Sequence, residues 1–212
     1  MDLEELRREY CSDGLGREDL ADDPFQQFEH WLKQAIEADI QDPTAMSVAT
    51  VGTDNRPWQR IVLLKHSGQD GFVFYTNLGS RKSEEIARNA NVSLLFPWLQ
   101  LNRQIIIGGR AERLPATQVL KYFLSRPRES QLAAWSSAQS RPLSSRAILE
   151  QKFAQMKHKF EHGDVPVPDF WGGYRVVPDS IEFWQGRPGR LHDRFMYRLQ
   201  DQGHWSIERL AP

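Results

Sequence analysis

Residues 60–82 read RIVLLKHSGQDGFVFYTNLGSRK, and three local signals in this stretch set the architecture. An apolar, β-branched run predicts a strand from Gln59 to Lys65, and Gly71 to Thr76 predicts a second. Ser80 then stands at the cap of a predicted helix from Arg81 to Asn89, with Glu84 as a capping-box partner one place late. A strand that ends at a helix amino terminus gathers free N–H groups, and here Arg81 and Lys82 open that helix.

The same strand signature recurs outward. Ala45 to Val51, Val92 to Trp98 and Arg103 to Leu114 bring the number of consecutive strands to five, which predicts an antiparallel meander. Upstream, Asp22 or Asp23 caps a helix with Pro24 at its first position. Phe25, Phe28, Trp31, Leu32 and Ile36 recur on one face of it. Downstream, helices are predicted from Pro115 to about Ser125 and from about Ser144 to His162, the second burying Ile148, Phe153, Met156 and Phe160. Strands return at Trp171 to Val177, Ser180 to Gln185, Arg194 to Leu199 and Trp205 to Leu210, with turns at Pro178-Asp179 and Asp201 to Gly203. The expected fold class is α+β: a small closed antiparallel barrel with peripheral helices. Residues 1–21 have helical spacing at Leu3 and Leu6 that Gly14 and Gly16 interrupt, so they are expected to form a mobile amino-terminal arm before a single domain over 22–212.

Composition narrows the function classes. The 212 residues carry 27 Lys+Arg against 28 Asp+Glu, a formal charge of −1, so any anion site must arise from local clustering. That balance argues against a general nucleic-acid coat. The single cysteine, Cys11, forms no intramolecular disulfide and no thiolate cluster, which favours a reducing, cytoplasmic setting. The longest apolar runs, such as Ile61 to Leu64, are far too short to span a bilayer, and the charged amino terminus is not expected to serve as an export signal.

Three clusters carry candidate chemistry. Arg60 and Lys65 flank one strand while Arg81 and Lys82 open a helix, a kit for phosphate oxygens that reads equally as a solvated helix start and aggregation-blocking edge lysines. Ser125-Arg126-Pro127-Arg128-Glu129-Ser130 sets two guanidinium groups and two hydroxyls around a stiffened turn, suited to a bidentate anion grip or to a plain charged loop. Arg190 and His192, two apart on a segment expected to be extended, point the same way just beyond Trp184. A histidine beside an aspartate is more often structural. No Rossmann glycine fingerprint, P-loop, HExxH, CxxC or nucleophile elbow occurs. What remains suits a phosphorylated planar cofactor or stacked bases.

The motifs RIVLLK at Arg60 to Lys65, FYTNLGSRK at Phe74 to Lys82, SLLFPW at Ser93 to Trp98 and SRPRESQ around Arg126 lead to a known pattern. With FWGGYRV, IEFWQG and RLHDRF they resemble the pyridoxamine (pyridoxine) 5′-phosphate oxidase family, from LRREY at Leu6 to Tyr10 through the terminal ERLAP. The resemblance implies a split β-barrel and a homodimer with FMN in clefts between subunits. It implies that Arg60, Ile61, Val62, Leu63, Leu64, Lys65, Tyr75, Thr76, Arg81, Lys82, Gln104, Gln139 and Ser140 line the flavin site, with Trp184 and Arg194 from the other chain. It also implies Lys65, Tyr122, Arg126 and Ser130 around the substrate phosphate, Arg190 and His192 over the pyridine ring, and Arg7 to Tyr10 as a cover. The implied reaction oxidises phosphorylated B6 vitamers with O2. Two competitors remain at this point: a split-barrel reductase or deazaflavin enzyme, and a non-catalytic binder of pyridoxal phosphate or single-stranded nucleic acid.

Overall fold

The computed structural model describes Tyr10 and residues 14–212. Among them, nine strands form one wholly antiparallel sheet: β1 (Ala45–Val51), β2 (Pro57–Leu63), β3 (His66–Gly68), β4 (Gly71–Asn77), β5 (Asn91–Trp98), β6 (Arg103–Arg113), β7 (Trp171–Gln185), β8 (Asp193–Leu199) and β9 (Trp205–Leu210). Five helices accompany them: α1 (Pro24–Glu37), α2 (Arg81–Arg88), α3 (Ala116–Ser125), α4 (Arg128–Ser136) and α5 (Arg146–Lys159).

The expected meander gives way to a different order, β2-β1-β5-β6-β7-β4-β3, with β8 on β7 and β9 on β8. The crossing is made by α2, which carries the chain from β4 to β5 so that these sequential strands need not pair. β4 instead pairs with the first half of β7, Trp171 to Val176. β7 follows β6 along its length and gives its second half, Ser180 to Gln185, to β8. The two strands expected on either side of Pro178-Asp179 are therefore one bent strand. Its register shifts between Gly108 and Gly109, where a Cβ on Gly109 would collide with the Val177 carbonyl.

The ladder curls without closing, and β2 and β3 stand at its ends. The strand expected to run to Lys65 stops at Leu63, because the chain there turns a corner. Leu64 N–H donates to Thr44 O at 2.9 Å on one side, and Lys65 N–H donates to Val73 O at 2.8 Å on the other. The split is thus bridged by the chain itself, which places the Arg60 to Lys65 segment at the barrel's mouth.

The barrel interior packs Met46, Val48, Phe72, Phe74, Leu94, Phe96, Ile105, Ile107 and Phe183, and Phe28, Trp31 and Ala35 of α1 plug it. The Asp23 carboxylate caps α1, accepting from Phe25 N–H at 2.9 Å. Ile36, expected on the buried face, is 56% exposed; Ala35 takes the place against the sheet. Residues 14–21 also pack: Leu15 and Leu20 are buried in this core, and Tyr197 Oη donates to Ala21 O at 2.7 Å. The ordered domain accordingly begins before Asp22. Leu3, Leu6 and Cys11 lie outside the described residues. A second core, with Val73, Val119, Phe123, Leu132 and Trp171, fills the space between the sheet and α3 to α5. Phe153, Met156 and Phe160 of the last helical segment rest half-buried on it. No helix among the described residues is long and apolar enough to cross a membrane.

Candidate functional site

A cleft of about 920 Å³ opens between β2, the end of β4, the start of α2, the α3–α4 corner and the loop through Ser140. Arg60, Lys65, Arg81, Lys82 and Arg126 line it, and no carboxylate does among the described residues. Lys82 is the most constrained of these cations. It is buried, yet among the described residues its Nζ donates only to neutral oxygens: Thr76 Oγ1 at 2.9 Å, Gln139 Oε1 at 2.9 Å and Ser80 Oγ at 3.2 Å. Burial, and then the nearby Arg60 charge, push its pKa down to about 8. Ser80 therefore serves Lys82 and Ser83 and makes no side-chain cap, and Glu84, expected to complete a capping box, pairs with Arg141 instead.

Arg60 reaches inward from β2. Its Nη1 donates to Trp58 O at 3.1 Å, Val48 O at 3.3 Å and Thr50 Oγ1, and its Nη2 donates to Glu85 Oε2 at 3.2 Å. The Arg81 guanidinium lies 3.3 Å over the Trp58 ring. Ile61, Val62, Leu63, Thr76, Gln139 and Ser140 complete this side of the cleft. Leu64 does not line it: its side chain is buried in the barrel core, because the corner at Lys65 turns it inward.

The opposite wall is aromatic. Tyr75 and Tyr122 stack with ring centroids 3.8 Å apart, and Trp171 lies nearly parallel to Tyr75 at 5.4 Å. Burial raises the pKa of both phenols, and for Tyr75 the neighbouring Tyr122 adds to it. Arg126 precedes Pro127, so its backbone is extended, with ψ of 149°, and α3 cannot continue through it. Its guanidinium lies 5.0 Å from the Trp171 ring, and its buried Nη1 finds no hydrogen-bond acceptor among the described residues. Ser130, on the first turn of α4, also faces the cleft. The expected grip of two guanidinium groups is reduced to one. Arg128 donates to Gly163 O and Phe160 O beyond α5, and Ser125 Oγ donates to Tyr122 O.

The remaining candidates form a second group elsewhere on the chain. Gln104, Trp184 and Arg194 face one another across β6, β7 and β8 in a single row. Arg194 is held by Glu182 at 2.8 and 3.1 Å. Tyr10 and His192 pack edge-on at 5.2 Å, and the Trp184 ring lies 5.7 Å from Tyr10 and 4.7 Å from His192. The Arg190 to His192 segment is not extended. Gly189 and Arg190 have φ of 64° and 61° in a short turn, so the two side chains do not share a strand face. Arg187 N–H donates to His192 Nδ1 at 3.1 Å, and Arg190 is exposed. None of these six residues, Tyr10, Gln104, Trp184, Arg190, His192 or Arg194, lines the cleft of its own chain. Arg7 lies outside the described residues.

The sequence reading missed Trp58, Glu85 and Trp171. Only Glu85 left a local sign, as the helical i,i+4 neighbour of Arg81.

Comparison with known proteins bears on this arrangement. Residues 32–160 match the family model described as pyridoxamine 5′-phosphate oxidase, and residues 171–212 match that of the pyridoxine 5′-phosphate oxidase C-terminal dimerisation region. A Hahella chejuensis protein named pyridoxine/pyridoxamine 5′-phosphate oxidase is 60% identical over 213 residues, covering 100% of both chains. One of the same name from Pseudoalteromonas translucida is 59% identical over 212 residues, again covering both completely. Among solved structures, PhzG from Burkholderia lata, in complex with tetrahydrophenazine-1-carboxylic acid, superposes with a TM-score of 0.87 at 29% identity. That match covers 94% of this chain and 98% of the other. A pyridoxamine 5′-phosphate oxidase-related, FMN-binding protein from Nostoc punctiforme shares the fold, with a TM-score of 0.73 at 14% identity over 91% of this chain and all of that one. Full-length identity near 60% and a match to both family models lead to one conclusion: the chain belongs to the pyridoxamine 5′-phosphate oxidase family.

Proposed function

We propose that this chain is an FMN-dependent oxidase that converts pyridoxamine 5′-phosphate and pyridoxine 5′-phosphate to pyridoxal 5′-phosphate. O2 is the final electron acceptor, giving H2O2, and the amine substrate also releases NH3. The observation that carries the reading is a pair of anion grips in one cleft: among the described residues, buried Lys82 has no carboxylate partner and the buried Nη1 of Arg126 has no acceptor. Each is a charge that folding leaves uncompensated, and a phosphate dianion satisfies each. Two phosphates match a phosphorylated cofactor beside a phosphorylated substrate.

The donor set fits FMN. Arg60, Arg81, Lys82 and Ser140 would hold its phosphate, while Thr76 and Gln139 orient the lysine; Tyr75 with Ile61, Val62, Leu63 and Lys65 would flank the ring. When bound, the flavin supplies the two-electron acceptor that no side chain provides. Lys65, Tyr122, Arg126 and Ser130 hold the substrate phosphate, a fixed anchor remote from the carbon to be oxidised. The stacked Tyr75, Tyr122 and Trp171 rings give that anchor a rigid, dry wall. Arg190 and His192 close over the pyridine ring. Because their cluster with Trp184 and Arg194 lies outside the chain's own cleft, a second copy delivers it, so that each site of a homodimer is shared and Tyr10 with Arg7 covers it. The single cysteine fits a cytoplasmic setting.

The test is anaerobic reduction. The purified protein should be yellow, should bleach on adding pyridoxamine 5′-phosphate, and should recover its colour in air with H2O2 formed. A colourless protein, or equal bleaching by unphosphorylated pyridoxamine, overturns the reading.

A further inference from the structure

We propose that Glu85 is a positioning residue for the cofactor phosphate, holding Arg60 and Arg81 in the attitude that receives it; this deepens the FMN reading and rests on it. Glu85 is buried on α2 behind the cleft-lining Arg60 and Arg81 without itself lining the cleft, and its two oxygens are divided between these two arginines. Oε1 accepts from Arg81 Nε at 2.8 Å, while Oε2 accepts from Arg60 Nη2 at 3.2 Å and from Thr50 Oγ1 at 2.5 Å. Thr50 Oγ1 accepts in turn from Arg60 Nη1, which closes a ring of Arg60, Thr50 and Glu85. Burial alone would raise the Glu85 pKa, but the hydrogen bonds from Thr50, Arg81 and Arg60 hold it below the usual carboxylate range.

Three features point to positioning and not to simple neutralisation. The carboxylate takes Arg81 by Nε alone, so its Nη groups stay available to an anion, and the Trp58 face fixes the plane of that guanidinium. One carboxylate against Arg60, Arg81 and Lys82 leaves two positive charges in excess, the complement of a phosphate dianion. Finally, arginine side chains are rich in rotamers, and ordering them before the ligand arrives removes that cost from binding.

A role limited to fastening α2 to β1 predicts something different, so the test separates phosphate recognition from fold. Full-length wild type, Glu85→Gln and Thr50→Val, freed of flavin, are titrated with FMN and with riboflavin by flavin fluorescence, and their melting temperatures are recorded. Glu85→Gln keeps the shape but exchanges an acceptor for an NH2 group that faces arginine donors. FMN should bind about tenfold more weakly to it, and about threefold more weakly to the near-isosteric Thr50→Val, while riboflavin affinity stays within about twofold. An unchanged ratio of FMN to riboflavin affinity in both variants, or tighter FMN binding to Glu85→Gln, overturns the proposal. If Glu85→Gln does not fold, the ratio in Thr50→Val decides alone. A wild type that does not prefer FMN to riboflavin fails earlier and sinks the cofactor reading itself.

Discussion

The cleft and the β7–β8 row both carry arginines, but they spend the charge differently. In the row, Arg194 is bidentate to buried Glu182, and Arg187 and Arg209 share buried Asp193 at 3.4 and 2.6 Å. In the cleft, Lys82 is buried and Arg126 has a buried Nη1, and neither has a carboxylate partner among the described residues. An unpaired buried charge is costly, so its persistence marks where an outside anion belongs; a paired arginine stiffens a surface instead. On the proposed reading the cleft is the receptor, and the row with Trp184 and His192 is a preformed wall that, among the described residues, does not face the cleft of its own chain.

The strongest way to break this comparison is to separate the two regions genetically. Lys82→Ala damages the receptor and Arg190→Ala damages the wall; Arg190 is chosen over Arg194 because its exposed side chain leaves no buried partner charge behind. Homodimers of either variant should be close to inactive. Refolded together, about half of the dimers are mixed, and each mixed dimer holds one site with both lesions and one with neither. Activity should rise from background to about a quarter of wild type. Mixed dimers that are verified but inactive would place the wall in the same chain's site.

The next effect is smaller and concerns the receptor's two grips. Arg126→Ala should raise KM for pyridoxamine 5′-phosphate by roughly ten- to a hundredfold and leave kcat within about threefold, because a phosphate anchor holds ground and transition states alike. FMN content should not change. Steady-state kinetics with flavin quantified in the same samples checks both halves; a fall in kcat equal to that in kcat/KM would show that Arg126 acts at the reacting carbon.

The two regions were also unequally legible in the sequence. Arg81 and Lys82 open a helix, a position that aims cations at an anion although it reads equally as a solvated helix start, whereas Arg60 stands in the middle of β2 and carries no such positional sign. The Arg190 and His192 spacing carries direction only if the backbone is extended, and two successive positive φ values at Gly189 and Arg190 remove that premise. α4 was hidden behind Pro127, and Leu132 is its one buried large apolar side chain, too little for a periodic signal. Strand identity in β1 was plain from the alternation of buried Met46, Val48 and Thr50. The pairing of β4 with β7, nearly a hundred residues away, was not: Gly172 and Gly173 admit Leu78 and Leu114 by having no side chain, which leaves nothing to read.

The smallest effect sharpens what kind of charge the receptor holds. In the ligand-free chain Lys82 has a pKa of about 8 against an ordinary 10.5. The ammonium is the form that attracts phosphate, so FMN affinity should be level from pH 7 toward 8 and then weaken, by about tenfold at pH 9. Lys82→Arg, which stays charged, should flatten that decline. Stability has the opposite sign. Because the folded pKa lies below the unfolded one, the unfolded chain binds more protons between about pH 8 and 10.5, and ligand-free stability gains from Lys82 as pH rises through that window. The gain is at most about 3 kcal/mol, read as the difference in urea midpoints between wild type and Lys82→Met at each pH. General alkaline damage would depress affinity and stability together, whereas one buried lysine drives them apart. A wild-type affinity as flat as that of Lys82→Arg, or a wild type that loses stability relative to Lys82→Met as pH rises, removes Lys82 from the role of uncompensated charge.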